Sequence, residues 1–319
     1  MQLLPYFNDE KWFLNELKDF FIDHRKDISI EEQYNHSKTR EDVTNLIKKV
    51  ASNHFDMNKG DIFEQLVLAP FDKILLLKQD IDTNNVKFSA SWNVFKDMYK
   101  EFVKNKNNLK LLSKYGINVC PYCNESFIIN RVDKGACQLD HFFPKDQYPI
   151  FAVCLYNLVP SCYSCNHTKS SNPLNYSPHD KSEFHIHNLN KMHISYEILN
   201  ISGFLSSFDS IEVQFQYSNG TDSDFITKMG EDIDTLQLNK PYQFHKDYIF
   251  EIIKKGKIYN KASVESLINS FPGLFYDEEE FYTLIYGNFI QDENQLKRPL
   301  SKLTRDIVEE VNRSWRDNV

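Results

Sequence analysis

Two cysteine pairs with the same spacing constrain this chain more than any other feature. Cys120-Pro-Tyr-Cys123 and Cys162-Tyr-Ser-Cys165 each place two thiols three positions apart. Two such turns can close one tetrahedral Zn²⁺ site of four thiolates, which has no open position and is therefore structural. Core cysteines or a redox pair are the alternatives, and two pairs of identical spacing argue against both. The sequence predicts a structural zinc with a small substructure between its two halves.

The cellular compartment that the sequence predicts favours zinc over disulfides. The remaining two, Cys137 and Cys154, have no partner at a comparable spacing and are expected to be buried thiols. The N-terminal residues MQLLPYFNDEKWF lack the basic start, apolar run and cleavage site of a signal peptide. No stretch approaches the roughly 20 apolar residues that span a bilayer. We therefore expect a cytoplasmic protein in a reducing compartment, without a membrane partner.

Six polar residues that can carry chemistry lie between the cysteine pairs or just after the second pair: Asp140, His141, Asn157, Asn166, His167 and Lys169. Cleavage of a phosphodiester bond needs a base for the attacking water and positive charge at the phosphate. His141 can be that base because imidazole titrates near neutral pH. Asp140 and Asn166 offer oxygen ligands that suit Mg²⁺ or Mn²⁺. Since neighbours on a strand point to opposite faces, Asp140 and His141 share a site only if the strand is strongly twisted.

The order C-x-x-C, D-H, N, C-x-x-C-N-x-x-K resembles the zinc-bearing branch of the HNH (ββα-metal) nuclease superfamily. The resemblance covers about residues 118–172 of the 319-residue chain. Each element alone is common, but the full series in this order is specific. The resemblance implies a β-hairpin followed by a helix, gripping one catalytic divalent ion in addition to the structural zinc.

The same resemblance implies a role for each residue of the motif. Asp140 corresponds to the first ligand of the catalytic ion and His141 to the general base. Asn157 corresponds to the asparagine that orients the histidine and ties down the loop. Asn166 corresponds to the second metal ligand, and Lys169 to a closing basic residue that could contact phosphate.

Two departures from the family pattern bear on the geometry. The segment Phe142–Tyr156 is an aromatic, proline-containing insert that could displace the second strand of the hairpin. His167 directly follows Asn166, and either could be the final metal ligand. We prefer Asn166, because in the zinc-bearing branch the ligand immediately follows the last cysteine.

The sequence divides into three regions around this motif. Residues 1–115 are mostly helical in pattern, residues 116–180 form the compact motif-rich module, and residues 181–319 mix strand and helix signals. The predicted fold class is α+β: a central zinc-stapled ββα-metal (HNH) module flanked by largely helical N- and C-terminal regions.

Apolar periodicity supports the flanking elements. Helical spacing occurs in Trp12–Phe21, Ile62–Leu77 and Trp92–Val103. Alternation in 194–198 and again in 211–217 predicts two strands. Asn239 is a candidate N-cap ahead of Pro241.

A final helix is predicted near the C-terminus. Pro299 suits a first helical turn, and one apolar stripe follows: Leu300, Leu303, Ile307, Val308, Val311 and Trp315. Such a stripe is usually buried against the chain's own core. The alternative is that part of this region, or of the helical N-terminus, docks on a partner protein.

Charge limits how the chain can bind nucleic acid. The net charge is −8 and the pI about 5.7, so a general coat of positive charge is excluded. The segment from Lys87 to Lys114, however, contains seven lysines and only two acidic residues, Asp97 and Glu101, so its local net charge is +5. These lysines are read either as an ordinary solvated helix face or as a phosphate-contacting surface.

A wider resemblance concerns the whole chain. It resembles the HNH nucleases that accompany an ABC-type or RecF-like ATPase in Septu systems and some retrons, which are anti-phage defences. The features that carry it are Cys-Pro-Tyr-Cys-Asn after a helical N-terminus and the segments Leu236–Pro241 and Lys297–Leu303. This resemblance implies an ATPase partner and a role in antiviral defence.

Three readings of the function follow. The first is an HNH endonuclease that cuts nucleic acid, with DNA favoured over RNA as its substrate. The second is a zinc-stapled module that binds nucleic acid or protein without catalysis. The third is an interaction protein with a decayed nuclease. Asp140, His141, Asn157 and Asn166 favour the enzyme, because a binding module does not need that set.

Overall fold

The structure is a computed structural model that describes residues 1–18, 20–21, 40–56, 58, 60–131, 134–135, 137–200 and 207–316. The chain forms two compact units. The N-terminal unit comprises Leu3–Ile117 and Ile128–Ser182, and the C-terminal unit comprises Met1–Gln2, Asn118–Phe127 and Glu183–Val319. The boundaries predicted near residues 115 and 180 separate regions of different sequence character. The compact units are drawn differently, because the N-terminal helices belong to the same unit as most of the central module. None of the described helices is long and apolar enough to cross a membrane.

The N-terminal unit is mainly helical. Its helices are α1 (Glu10–Lys18), α2 (Arg40–Ala51), α3 (Ile62–Val67), α4 (Phe71–Thr83), α5 (Asn93–Lys104), α6 (Asn107–Tyr115) and α7 (Tyr163–Lys169). The predicted stretch Ile62–Leu77 is two helices, because Pro70 takes an extended conformation and starts α4. Asp61 caps α3 by accepting a hydrogen bond from Phe63 N at 2.7 Å. Both helices bury the apolar side that the periodicity predicted.

Helix α5 buries one side and exposes its lysines on the other. Val94, Phe95, Met98 and Phe102 are buried. The lysines of this helix and of α6 form ion pairs: Lys96–Asp146, Lys100–Asp97, Lys104–Glu101, Lys110–Glu16 and Lys114–Asp9. Much of the local positive charge is therefore neutralised by neighbouring acids. This favours the solvated helix face over the phosphate-contacting surface.

A two-stranded antiparallel sheet and a helix follow in the same unit. Strand β3 (Cys137–His141) pairs with β4 (Leu158–Cys162), with Cys137 opposite Cys162 and His141 opposite Leu158. Helix α7 begins at the next residue. The insert forms short 3₁₀ turns at Pro149–Phe151 and Leu155–Asn157 and does not displace β4. A shorter ladder joins β1 (Asn130–Arg131) to β2 (Lys134–Gly135).

The C-terminal unit combines a hairpin with helices. It contains α8 (Glu183–Leu189), β5 (Met192–Ile198), β6 (Ile211–Tyr217), α9 (Ser223–Thr235), α10 (Asn239–Gln243), α11 (Lys246–Ile258), α12 (Lys261–Ser270), α13 (Glu278–Tyr286) and α14 (Ser301–Arg316). Strands β5 and β6 form where the alternation predicted strands, and they pair antiparallel. The N-cap assignment of Asn239 was wrong: Asn239 is the first residue of α10, and the preceding Leu238 has no side-chain cap.

Helix α14 buries the predicted stripe within its own unit. Leu303, Ile307, Val308 and Val311 are all buried, whereas the side chain of Trp315 lies outside the described part. The helix begins at Ser301, so Pro299 precedes its first turn, and Leu300 has a positive φ of 63°. Asp306 accepts a hydrogen bond from Ile194 N at 2.8 Å and pairs with Lys302 at 2.9 Å, which ties α14 to β5. Gly256 permits a close approach of α11, since a Cβ there would collide with Val311.

Candidate active site and cysteine centre

The four paired cysteines come together as the sequence predicted. The Sγ atoms of Cys120, Cys123, Cys162 and Cys165 all lie within 4.8 Å of one another, and all four residues are buried. Tetrahedral Zn²⁺ with Zn–S bonds of about 2.3 Å places its sulfurs roughly 3.8 Å apart. The group therefore fits a metal such as zinc with only small movements.

The first cysteine turn is closed by backbone hydrogen bonds and a positive φ at Asn124. Asn124 takes a positive φ of 51°, which an asparagine tolerates better than most residues. Its N–H donates to Cys120 O at 2.8 Å and closes the turn. The next N–H, of Glu125, donates to Cys123 Sγ at 3.5 Å. N–H groups directed at a sulfur stabilise its thiolate form.

Asn124 also anchors this turn within the C-terminal unit. Its Nδ2 donates to Gln295 O at 2.7 Å, and its Oδ1 accepts from Lys302 N at 2.9 Å. Its backbone carbonyl accepts from Leu300 N at 2.6 Å. The start of α14 therefore holds the turn in place. The structural role of Asn124 was not predicted from the sequence, where the one signal is its position directly after a C-x-x-C pair.

The second cysteine turn joins β4 to α7. Cys162 ends the strand and caps the helix, and its Sγ accepts a hydrogen bond from Cys165 N at 3.4 Å. The two other cysteines are buried thiols, as predicted. Burial raises the pKa of Cys137 to about 12 and raises that of Cys154 well above its usual value, so both stay protonated.

A cleft of about 710 Å³ opens on the N-terminal unit beside β3 and α7. Asp140, His141, Asn166 and His167 all line it. Asp140 and His141 thus face one space although they are neighbours on a strand, and His141 is the last residue of that strand. The structure thus brings both residues to the same cleft at the end of β3.

His141 is held as a neutral, oriented imidazole. Its Nε2 lies 3.0 Å from Ala152 O, and because a carbonyl only accepts, Nε2 carries the hydrogen and Nδ1 is left to accept a proton. Burial, and then the charge of Lys145, lowers the pKa of His141 to about 3. The ring of Tyr99 packs edge-on at 4.4 Å between centroids. In the sequence, Tyr99 is only one residue of the helical apolar pattern in Trp92–Val103, and its contact with His141 was not predicted.

Asn157 holds in place the loop that carries Ala152, whose carbonyl oxygen accepts the hydrogen bond of His141. It is fully buried, and its Oδ1 accepts from Phe143 N at 2.8 Å. Its Nδ2 donates to Phe143 O at 3.1 Å and to Phe151 O at 3.0 Å. Phe151 precedes Ala152, whose carbonyl binds His141. Asn157 therefore acts on the histidine through the loop rather than by direct contact.

Lys169 is buried beneath Asp140. Its side chain has no exposed surface, and its Nζ lies 3.1 Å from Asp140 Oδ1 and 3.0 Å from His141 O. Asp140 itself is only 3% exposed. A side chain in this position holds the strand end and does not reach the cleft. The phosphate contact predicted for Lys169 is therefore not favoured by its burial.

The two alternatives for the final metal ligand have different surroundings. Asn166 is half-buried, and its Nδ2 donates to Gln138 Oε1, which turns its Oδ1 away from Gln138. His167 is exposed and stacks on Tyr163 with the rings 7° from parallel. Asp140 and Asn166 both provide oxygen atoms, a donor set that fits a hard divalent ion. The choice between Asn166 and His167 stays a prediction.

Comparison with known proteins gives one partial similarity. Over 81 residues the chain is 36% identical to the Septu protein PtuB of Bacillus thuringiensis, a stretch that is 23% of this chain and 30% of that protein. The match thus spans less than a third of the relative's length. No protein-family model matches the chain, and no solved structure matches it.

Proposed function

We propose that this chain is a metal-dependent endonuclease of the HNH type that hydrolyses phosphodiester bonds in DNA. The observation that carries the proposal is the convergence of Asp140, His141 and Asn166 on one cleft. They are supplied by an antiparallel strand pair and the helix that directly follows it, which is the order the HNH motif implies.

Each residue of the cleft has a task in the proposed reaction. His141 Nδ1 takes the proton of the attacking water, because Nε2 is engaged with Ala152 O. Asn157 keeps the loop that supplies this carbonyl in place. Asp140 and Asn166 are the residues that would hold Mg²⁺ or Mn²⁺, with His167 as the alternative ligand. A bound ion would supply the positive charge that stabilises the phosphate and the departing oxygen.

Two further parts of the proposal concern the zinc and the biological setting. The four-cysteine group holds a structural Zn²⁺, because it offers four thiolates and leaves no position for substrate. The chain acts as the nuclease of a bacterial anti-phage defence system with an ABC- or RecF-like ATPase partner. The support for this role is the partial similarity to the Septu protein PtuB.

The test is a cleavage assay on DNA and RNA with added Mg²⁺ or Mn²⁺, comparing the chain with His141→Ala. We expect cleavage of DNA that depends on the ion, and a loss of roughly 10²–10⁴-fold in the variant, the usual contribution of a general base. Zinc content and thermal unfolding of the variant serve as controls and should be unchanged. Equal cleavage by the variant would refute the assignment of His141. Binding of DNA without any ion-dependent cleavage would indicate that the chain is a binding module and not an enzyme.

A further inference from the structure

An exposed pair of stacked rings stands on the rim of the cleft. Tyr163 is 62% exposed and its ring lies parallel to that of His167, with the centroids 5.4 Å apart. Both rings line the cleft from helix α7. A stacked pair four residues apart adds only about 0.2–0.5 kcal/mol to a helix, so helix stability alone is a weak reason for an exposed tyrosine here. Nucleic-acid bases stack on such rings whatever their sequence.

The cleft also carries a positive charge outside the buried ion pair. Lys145 lines the cleft and is partly exposed. Within the part of the chain that the structure describes, Lys145 has no ion pair, whereas the adjacent Asp146 pairs with Lys96 at 3.2 Å. Lys169 is committed to Asp140 below the surface. Lys145 is therefore the lysine placed to meet a phosphate in this cleft.

The depth of the reactive groups discriminates between forms of nucleic acid. Asp140 is 3% exposed and His141 7%, so a phosphate must enter the recess to reach them. Duplex DNA is stiff, with a persistence length of about 50 nm, and bending it costs several kcal/mol over a short site. Strong duplex binding also relies on many phosphate contacts, and most lysines of α5 are already paired with acids. An unpaired strand can bend into the recess at little cost.

We propose that the cleft takes an unpaired DNA strand, with a base stacked on the Tyr163–His167 pair and an adjacent phosphate bound by Lys145. The inference rests on the proposed nuclease function and adds the class of its substrate. Duplex DNA is then cut where it is frayed, gapped or otherwise locally open.

The test measures binding of fluorescent oligothymidine and of a hairpin duplex to the full chain, with His141→Ala in every protein to prevent cleavage. We expect tighter binding of the single strand. Tyr163→Ala should weaken it by roughly 5- to 150-fold, about 1–3 kcal/mol per stacked base, and Tyr163→Phe should restore it. The control Tyr6→Ala removes a tyrosine of the same unit that is 73% exposed, and should change nothing.

The phosphate contact is tested separately by salt dependence. Lys145→Ala should weaken binding and reduce the slope of log K against log salt concentration by about 0.7, the value for one single-strand phosphate contact. Lys100→Ala, which removes an exposed lysine paired with Asp97, is the matched control and should leave the slope unchanged. Equal slopes for the two variants would overturn the role of Lys145.

The outcomes separate this inference from the nuclease function. Equal or tighter binding of the duplex, or binding indifferent to Tyr163→Ala, would overturn the unpaired-strand inference even if the chain cuts DNA. Preference for an RNA strand over the DNA strand would overturn the choice of DNA. Absence of ion-dependent cleavage would refute the nuclease function, while binding that depends on Tyr163 would still establish the ligand class.

Discussion

The buried pair of Lys169 and Asp140 gives the sharpest quantitative prediction. Lys169 is fully buried, Asp140 is 3% exposed, and their charged atoms lie 3.1 Å apart. Lys169→Met keeps the length of the apolar stem and removes the charge, which leaves a buried carboxylate without its cation. Breaking a buried pair in this way typically costs about 3–5 kcal/mol. We expect the free energy of unfolding to fall by about that amount, measured by urea denaturation monitored by circular dichroism.

Two comparisons make this measurement specific. Lys100→Met breaks an exposed pair with Asp97 and should cost at most about 1 kcal/mol. The double variant Asp140→Asn, Lys169→Met removes both charges, so its loss should be smaller than the sum of the two single losses. Equal stability of Lys169→Met and Lys100→Met would refute the reasoning. A Lys169→Met variant that keeps its stability but binds DNA more weakly would also refute the reasoning, because that result would indicate that Lys169 contacts phosphate.

Three further predictions concern the zinc, the loop and the choice of ligand. Freshly purified protein should contain about one zinc per chain, and Cys162→Ser should lose it with much of the thermal stability, which metal analysis and calorimetry would show; a folded wild-type chain without zinc would contradict the four-cysteine centre. Asn157→Ala removes three buried side-chain hydrogen bonds and should lower the free energy of unfolding by about 3 kcal/mol or more, so an unchanged urea midpoint would count against the role of this side chain. Asn166→Ala should abolish ion-dependent cleavage with zinc content unchanged, and if His167→Ala does so instead, the ligand is His167.

The cysteine centre was predictable because its signal is local and chemical. Two turns with the same C-x-x-C spacing restrict where four thiols can lie, and the structure brings them within 4.8 Å. Strands β5 and β6 were predictable for a similar reason, since alternating apolar residues are a local pattern typical of a strand. In both cases the pattern that gives the prediction lies within a few consecutive residues, although the contacts themselves join separate segments of the chain.

The surroundings of the candidate site depend on contacts distant in sequence. Tyr99 packs on His141 from a helix some forty residues earlier, and nothing in its local pattern distinguishes it from a core residue. The burial of Lys169 likewise depends on how α7 packs beneath the end of β3. The sequence shows which residues are charged or aromatic, but tertiary packing sets the direction in which each side chain points.

The burial of helix α14 limits which variants can be used to test for a partner protein. Leu303, Ile307 and Val311 of α14 are buried within the C-terminal unit, so this stripe is not a surface awaiting another protein. A deletion after Pro299 would also remove Leu300 and Lys302, whose N–H groups bind Asn124 beside the first cysteine turn. Loss of a complex in that deletion would therefore be confounded by loss of zinc and of folding. Co-purification with an ATPase is informative only for variants that keep α14 and change exposed side chains, with zinc content measured in each.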